Sequence, residues 1–113
     1  MEAWRRRMRI AGRTRYNSIE EMKNIVCGFY RVHNFDDKPP LYTVRLDATS
    51  AWMETPDYRG PASVQWKPLN GEVVFIYEDG TEVSMYSRCG ISLVDEEGRY
   101  YFRRFAGKAG KVE

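Results

Sequence analysis

Tight turns divide the second half of this chain. Pro68-Leu69-Asn70-Gly71, Asp79-Gly80 and Glu96-Glu97-Gly98 stand between segments of strand length: Val64 to Lys67, Glu72 to Glu78, Thr81 to Ser87, Ile91 to Asp95 and Tyr100 to Phe105. So few connecting residues leave no room for a crossover, so consecutive strands must run antiparallel and lie side by side. Asp79-Gly80 suits a two-residue type I′ turn, which needs positive φ at both positions. Glu72 to Glu78 carries apolar residues on both faces and is expected to be a central strand. In the next segment Val83 and Met85 are expected to face inward.

The first half adds a helix and more strand. Ser18 followed by Glu21 forms a capping box, and Ile19, Met22, Ile25 and Val26 then fall on one helical face. The spacing predicts a short helix over 18–26, stopped near Gly28. Two or three turns are marginal alone, so this helix must dock on something. From Gly28 the apolar period becomes two. Phe29 to Phe35 ends at the breaker around Pro39-Pro40, and Tyr42, Val44 and Leu46 alternate with polar residues. Residues 54–63 read as one long loop. The expected fold is α+β: a strongly bent antiparallel meander or small open barrel of about seven strands, with the helix covering its open end.

A chain of 113 residues is expected to form a single domain over 1–113, preceded within it by a basic arm over 1–16. No apolar run approaches the roughly 20 residues that span a bilayer, and no secretory apolar region follows the first arginines. Two cysteines, Cys27 and Cys89, are too few for a disulfide framework, so a reduced cytoplasmic setting and no membrane association are expected. Charge is uneven. Residues 1–16 carry six arginines against one acid, for a net +5; residues 17–98 carry −7; residues 99–113 carry +4. Such an imbalance speaks to partners rather than to fold.

The residues that carry chemistry elsewhere are sparse here. His33 is the one histidine, with no paired short spacing to cysteines, so neither a zinc site nor a cofactor is expected. His33 reads as a half-exposed strand residue beside a turn. Cys27 and Cys89 read as small hydrophobes at strand boundaries. Asp95-Glu96-Glu97 reads as a solvated turn, because paired carboxylates do acid–base work only where a pocket separates their pKa values. The sequence favours a binding module over an enzyme.

Two features point to a ligand. In a strand, Tyr101, Arg103 and Phe105 share one face and Tyr100, Phe102 and Arg104 the other. One face must enter the core; the other then shows aromatics beside arginine, the combination that stacks bases and contacts phosphates. The alternative is an edge strand whose arginines block aggregation. The second feature is the arm, where Arg5, Arg6, Arg7, Arg9, Arg13 and Arg15 can neutralise phosphates. A transit peptide is a rival reading of the arm. Another starts the chain at Met8 and leaves only Arg9, Arg13 and Arg15. The expectation is nucleic-acid binding through the arm together with Arg103 and Arg104. Its rivals are a protein-interaction domain and a small-molecule barrel with an aromatic pocket or interface at Trp52, Tyr58, Trp66 and Tyr101. A homodimer is also expected, with Trp4, Met8 and Ile10 of the arm covering the edge strand of a second copy.

Overall fold

The computed structural model describes residues 12–34, 42–97 and 100–105, without the side chains of Asn34 and Tyr100. The helix α1 spans Ile19–Val26. Eight strands follow: β1 Gly28–Asn34, β2 Tyr42–Leu46, β3 Ser50–Glu54, β4 Arg59–Lys67, β5 Glu72–Tyr77, β6 Glu82–Arg88, β7 Ser92–Asp95 and β8 Tyr100–Arg104. Each pairs with the next, antiparallel, and β8 returns to pair with β1, closing the barrel.

The α+β class and the small barrel with an N-terminal helix are as the sequence predicts; closure and one further strand are additions. The long loop expected over 54–63 is shorter: β3 runs to Glu54 and β4 begins at Arg59, which leaves only 55–58 between them. Pro61 and Gly60 suggested that loop, since proline cannot donate to a ladder. Pro61 is tolerated because the β4–β5 ladder ends at Ala62 and Tyr77. Beyond it, the Tyr58 hydroxyl donates to the Pro61 carbonyl at 2.7 Å and accepts from the Glu78 amide at 3.3 Å. A side chain thus bridges the gap the proline leaves. Closure also gives each of the eight strands two neighbours, so the edge-strand argument for a homodimer lapses; the arm residues Trp4, Met8 and Ile10 lie outside the described residues.

The β5–β6 hairpin differs in its turn. The Tyr77 carbonyl accepts from the Gly80 amide at 3.0 Å and the Tyr77 amide donates to the Thr81 carbonyl at 2.8 Å. Glu78, Asp79 and Gly80 therefore form a three-residue loop. Only Gly80 has positive φ, at 91°, so this is a type I turn closed by a glycine bulge, not type I′.

Alternation sends one set of side chains into the barrel. Tyr30, Met53, Phe75, Met85, Leu93 and Phe102 are completely buried there. Phe75 meets Phe102 edge-on at 6.0 Å. β5 is buried on both faces, as its composition predicts, with Glu72 and Val74 covered as well as Val73 and Phe75.

The helix plugs one end. Ser18 Oγ accepts from the Glu21 amide at 3.1 Å, and the Glu21 carboxylate accepts from the Asn17 amide at 2.8 Å, one residue earlier than a capping box requires. Met22 and Val26 are fully buried beneath it, worth about 1.5–3 kcal/mol each in apolar transfer. Residues 12–16 form a strap on the same end. The Thr14 amide donates to the Ser87 carbonyl, the Tyr16 amide to the Pro68 carbonyl, and the Tyr16 and Ser87 hydroxyls meet inside at 2.8 Å. No described helix is long and apolar enough to cross a membrane.

Candidate nucleic-acid interface

Alternation that fills the barrel also decides what lies outside it. On β1, Tyr30 and Val32 point in, so Phe29, Arg31 and His33 point out. On β8, Phe102 points in, so Tyr101 and Arg103 point out, and Phe105 continues that face just beyond the strand. Closure brings these two triplets into register. His33 pairs with Tyr101 and Arg31 with Arg103, while the Phe105 amide donates to the Phe29 carbonyl. The outer surface therefore carries an aromatic row, an arginine row and a second aromatic row, each built from both ends of the chain.

The contacts follow this layout. His33 and Tyr101 stack with centroids 5.1 Å apart and planes 13° from parallel. Phe29 and Phe105 lie 6.0 Å apart at 58°. The Arg31 guanidinium sits over the Phe105 ring, 4.7 Å from its centroid. β2 and β3 extend the face: Arg45 is paired with Phe29 on one side and with Trp52 on the other. Arg45 has a weak, exposed ion pair with Asp47 at 3.4 Å. Arg31 and Arg103 are exposed, and among the described residues neither has a carboxylate within ion-pair distance. Two guanidinium groups directly opposed across a strand pair are unfavourable. His33 registers their field: partial burial, then Arg103 and then Arg31, hold its pKa below the ordinary histidine value.

The residues expected to bind from sequence are dispersed. Arg5, Arg6, Arg7 and Arg9 lie outside the described residues. Arg13 lies 5.6 Å over the Tyr86 ring, on the outer face of β6, and Arg15 is exposed on the strap. Arg103 is in the interface. Arg104, the next residue, points the other way and is committed to structure. Its guanidinium donates to the carbonyls of Gly90 at 2.8 Å, Cys27 at 3.0 Å and Ile25 at 2.5 Å, and to the Tyr30 hydroxyl at 3.2 Å. It therefore caps the C-terminal end of α1, where a cation is favoured, and is spent there rather than on a ligand.

The four aromatics proposed as a pocket do not converge. Trp52 faces outward beside Arg45. Trp66 faces inward at the helix end, where its indole donates to the Ala48 carbonyl at 2.8 Å. Tyr58 stacks on Tyr77 at 3.9 Å, at the end of the barrel away from the helix. Tyr101 belongs to the outer face. Asp95 is also placed differently from the solvated turn its sequence suggests: it is buried, opposite Met85. With Glu82, Ser84, Glu96 and Glu97 it lines a shallow acidic cleft of about 240 Å³ where β6 starts and β7 ends. The described residues hold no group of three or more histidine, cysteine or acidic side chains placed to bind a metal.

Arg31, Phe29 and Arg45 were not singled out from sequence. The signal was present in Phe29-Tyr30-Arg31-Val32-His33, which alternates as Tyr101 to Phe105 does. What it lacked was the pairing of the first strand with the last. Comparison with protein-family models, with curated proteins and with solved structures finds no match for this chain.

Proposed function

We propose that this chain is a nucleic-acid-binding module that holds a phosphate backbone on the outer face of β8, β1 and β2. The observation that carries the reading is the directly opposed pair Arg31–Arg103, which has no carboxylate partner among the described residues. Cross-strand like charges oppose folding, and a bound polyanion turns that repulsion into attraction. Arg45, level with Phe29 and Trp52, adds a third guanidinium beside the Arg31–Arg103 pair, and planar guanidinium groups suit phosphate oxygens. The aromatics beside the arginines are the second component of such surfaces.

The test is a titration of the full chain with fluorescent oligonucleotides at two salt concentrations. Three phosphate contacts give a slope of log affinity against log salt of about −2 on a single strand and about −2.7 on duplex. Arg31→Ser and Arg103→Ser each reduce that slope by about one contact. Truncation to a chain beginning at Gly12 reads the share of Arg5, Arg6, Arg7 and Arg9 separately and keeps the Thr14 and Tyr16 anchors. Binding that ignores both arginine substitutions overturns the proposal, whatever the truncation does.

A further inference from the structure

Resting on that reading, we infer that the bound nucleic acid is single-stranded, with its bases lying against the rings that border Arg31 and Arg103. Along β1 the outward residues Phe29, Arg31 and His33 follow one another at about 6–7 Å, twice the rise of a strand residue. Tyr101, Arg103 and Phe105 repeat the order on β8 in the opposite direction. The charges thus occupy the middle of the face and the rings flank it on both sides. A phosphate at the arginine row places its neighbouring nucleotides over Phe29 and Phe105 on one side and over His33 and Tyr101 on the other.

A duplex cannot use those flanks. Its base faces are stacked on one another, and it offers only phosphates and groove edges. A single strand exposes both base faces, and any base stacks on an aromatic or histidine ring. The core does not require these rings: the barrel is filled by Tyr30, Phe75, Phe102, Met53, Met85 and Leu93, all on the other side of the sheet. Trp52, 38 % exposed, adds a further outward ring beside Arg45. Charge complementarity selects the occupant. The centre of the face, Arg31 and Arg103, is cationic; Asp47, paired with Arg45, and Glu54, which accepts from the Trp52 indole at 3.2 Å, lie at its margin, and Glu82, Asp95, Glu96 and Glu97 gather where β6 starts and β7 ends.

The experiment compares three probes on the unmodified chain: oligo-dT, an abasic deoxyribose-phosphate oligomer of the same length, and a blunt duplex. Oligo-dT is expected to bind about tenfold or more tighter than the abasic strand, an advantage that persists as salt rises because stacking is not ionic. Trp52→Leu and Phe105→Leu, checked for unchanged thermal melting, narrow the gap between these two probes and leave duplex affinity unchanged. The fluorescence of Trp52, read as the difference between the full chain and Trp52→Phe, is quenched by oligo-dT and not by the abasic strand. Equal affinity for oligo-dT and the abasic strand, with both weakened by Arg31→Ser, overturns the single-strand inference and leaves phosphate binding intact. Indifference of every probe to Arg31→Ser overturns both. Displacement of oligo-dT by polyglutamate at equal charge also overturns the inference and assigns the face to an acidic protein.

Discussion

Arg104 and Tyr30 face one another across the β1–β8 seam, with the guanidinium 5.2 Å from the ring centroid and 3.2 Å from the hydroxyl. The same hydroxyl donates to the Val26 carbonyl, and burial pushes its pKa well above the ordinary tyrosine value, so it remains a donor. The pair thereby ties the last strand to the first and both to the end of the helix. Arg104→Met removes donors from three backbone carbonyls and is expected to lower stability by about 2–3 kcal/mol in urea unfolding. Arg104→Lys recovers only part, because an ammonium group cannot span the same fork. Gly28→Ala acts on the same clamp: a Cβ there would lie 2.3 Å from an Arg104 nitrogen.

Arg103 gives the opposite result one residue away. It is exposed and opposes Arg31, so Arg103→Ser is expected to change stability by no more than about 0.5 kcal/mol, in the favourable direction. Parallel urea curves for Arg103→Ser and Arg104→Ser measure the contrast. Similar losses in the two would show that the inward and outward assignments on β8 are wrong.

His33 provides a pH readout. Its single imidazole signal is expected to titrate below the ordinary histidine value, because partial burial, Arg103 and Arg31 disfavour its charged form. The groups facing it are Tyr101 in the stack and these two arginines. Where the folded pKa lies below the unfolded one, the unfolded chain binds more protons, so stability rises with pH through that window and is lost as pH falls through the folded value. In an NMR titration, Arg103→Ser raises the pKa toward the ordinary value. Phosphate bound at the arginine row does the same in the parent chain.

Gly80 tests the corrected turn. Nothing lies within 4 Å of a Cβ built there, so Gly80→Ala meets only the strain of φ 91°. The expected loss is about 1 kcal/mol, without any change in the strand register. Asp79→Ala removes the carboxylate that accepts from the Thr81 amide at 2.9 Å, and its cost is expected to vanish below the depressed pKa of Asp79. Thermal melts at acidic and neutral pH separate the two effects.

Local features of the sequence were readable where local physics decides them. Ser18 and Glu21 announced the helix, and alternation divided Tyr100 to Phe105 into two faces, although only the structure shows that the Phe102 face enters the core. Two things were not written locally. Pro61 and Gly60 argued for a loop where β4 begins; the end of the β4–β5 ladder at Ala62, with the Tyr58 hydroxyl bonded to the Pro61 carbonyl just beyond it, makes that proline tolerable. The outer face of β1 and β8 was hidden for a deeper reason. Arg31 and Arg103 become neighbours only when β1 pairs with β8, and no spacing in the chain records that pairing. The arginine-rich start drew attention because its density is local, whereas the face that the barrel assembles is spread over its first and last strands.

Closure also sets the order in which the fold can assemble. Six of the strand pairs after β1–β2 join sequence neighbours, but the seam joins Tyr30 to Arg104, 74 positions apart. The entropy of bringing ends together grows with loop length, so the hairpins are expected to form first and the ring to shut last. The arginine row lies on that seam. A partly assembled meander has its hairpins but no paired arginines, and so the Arg31–Arg103 face is expected to arrive only with the final, slowest step of folding.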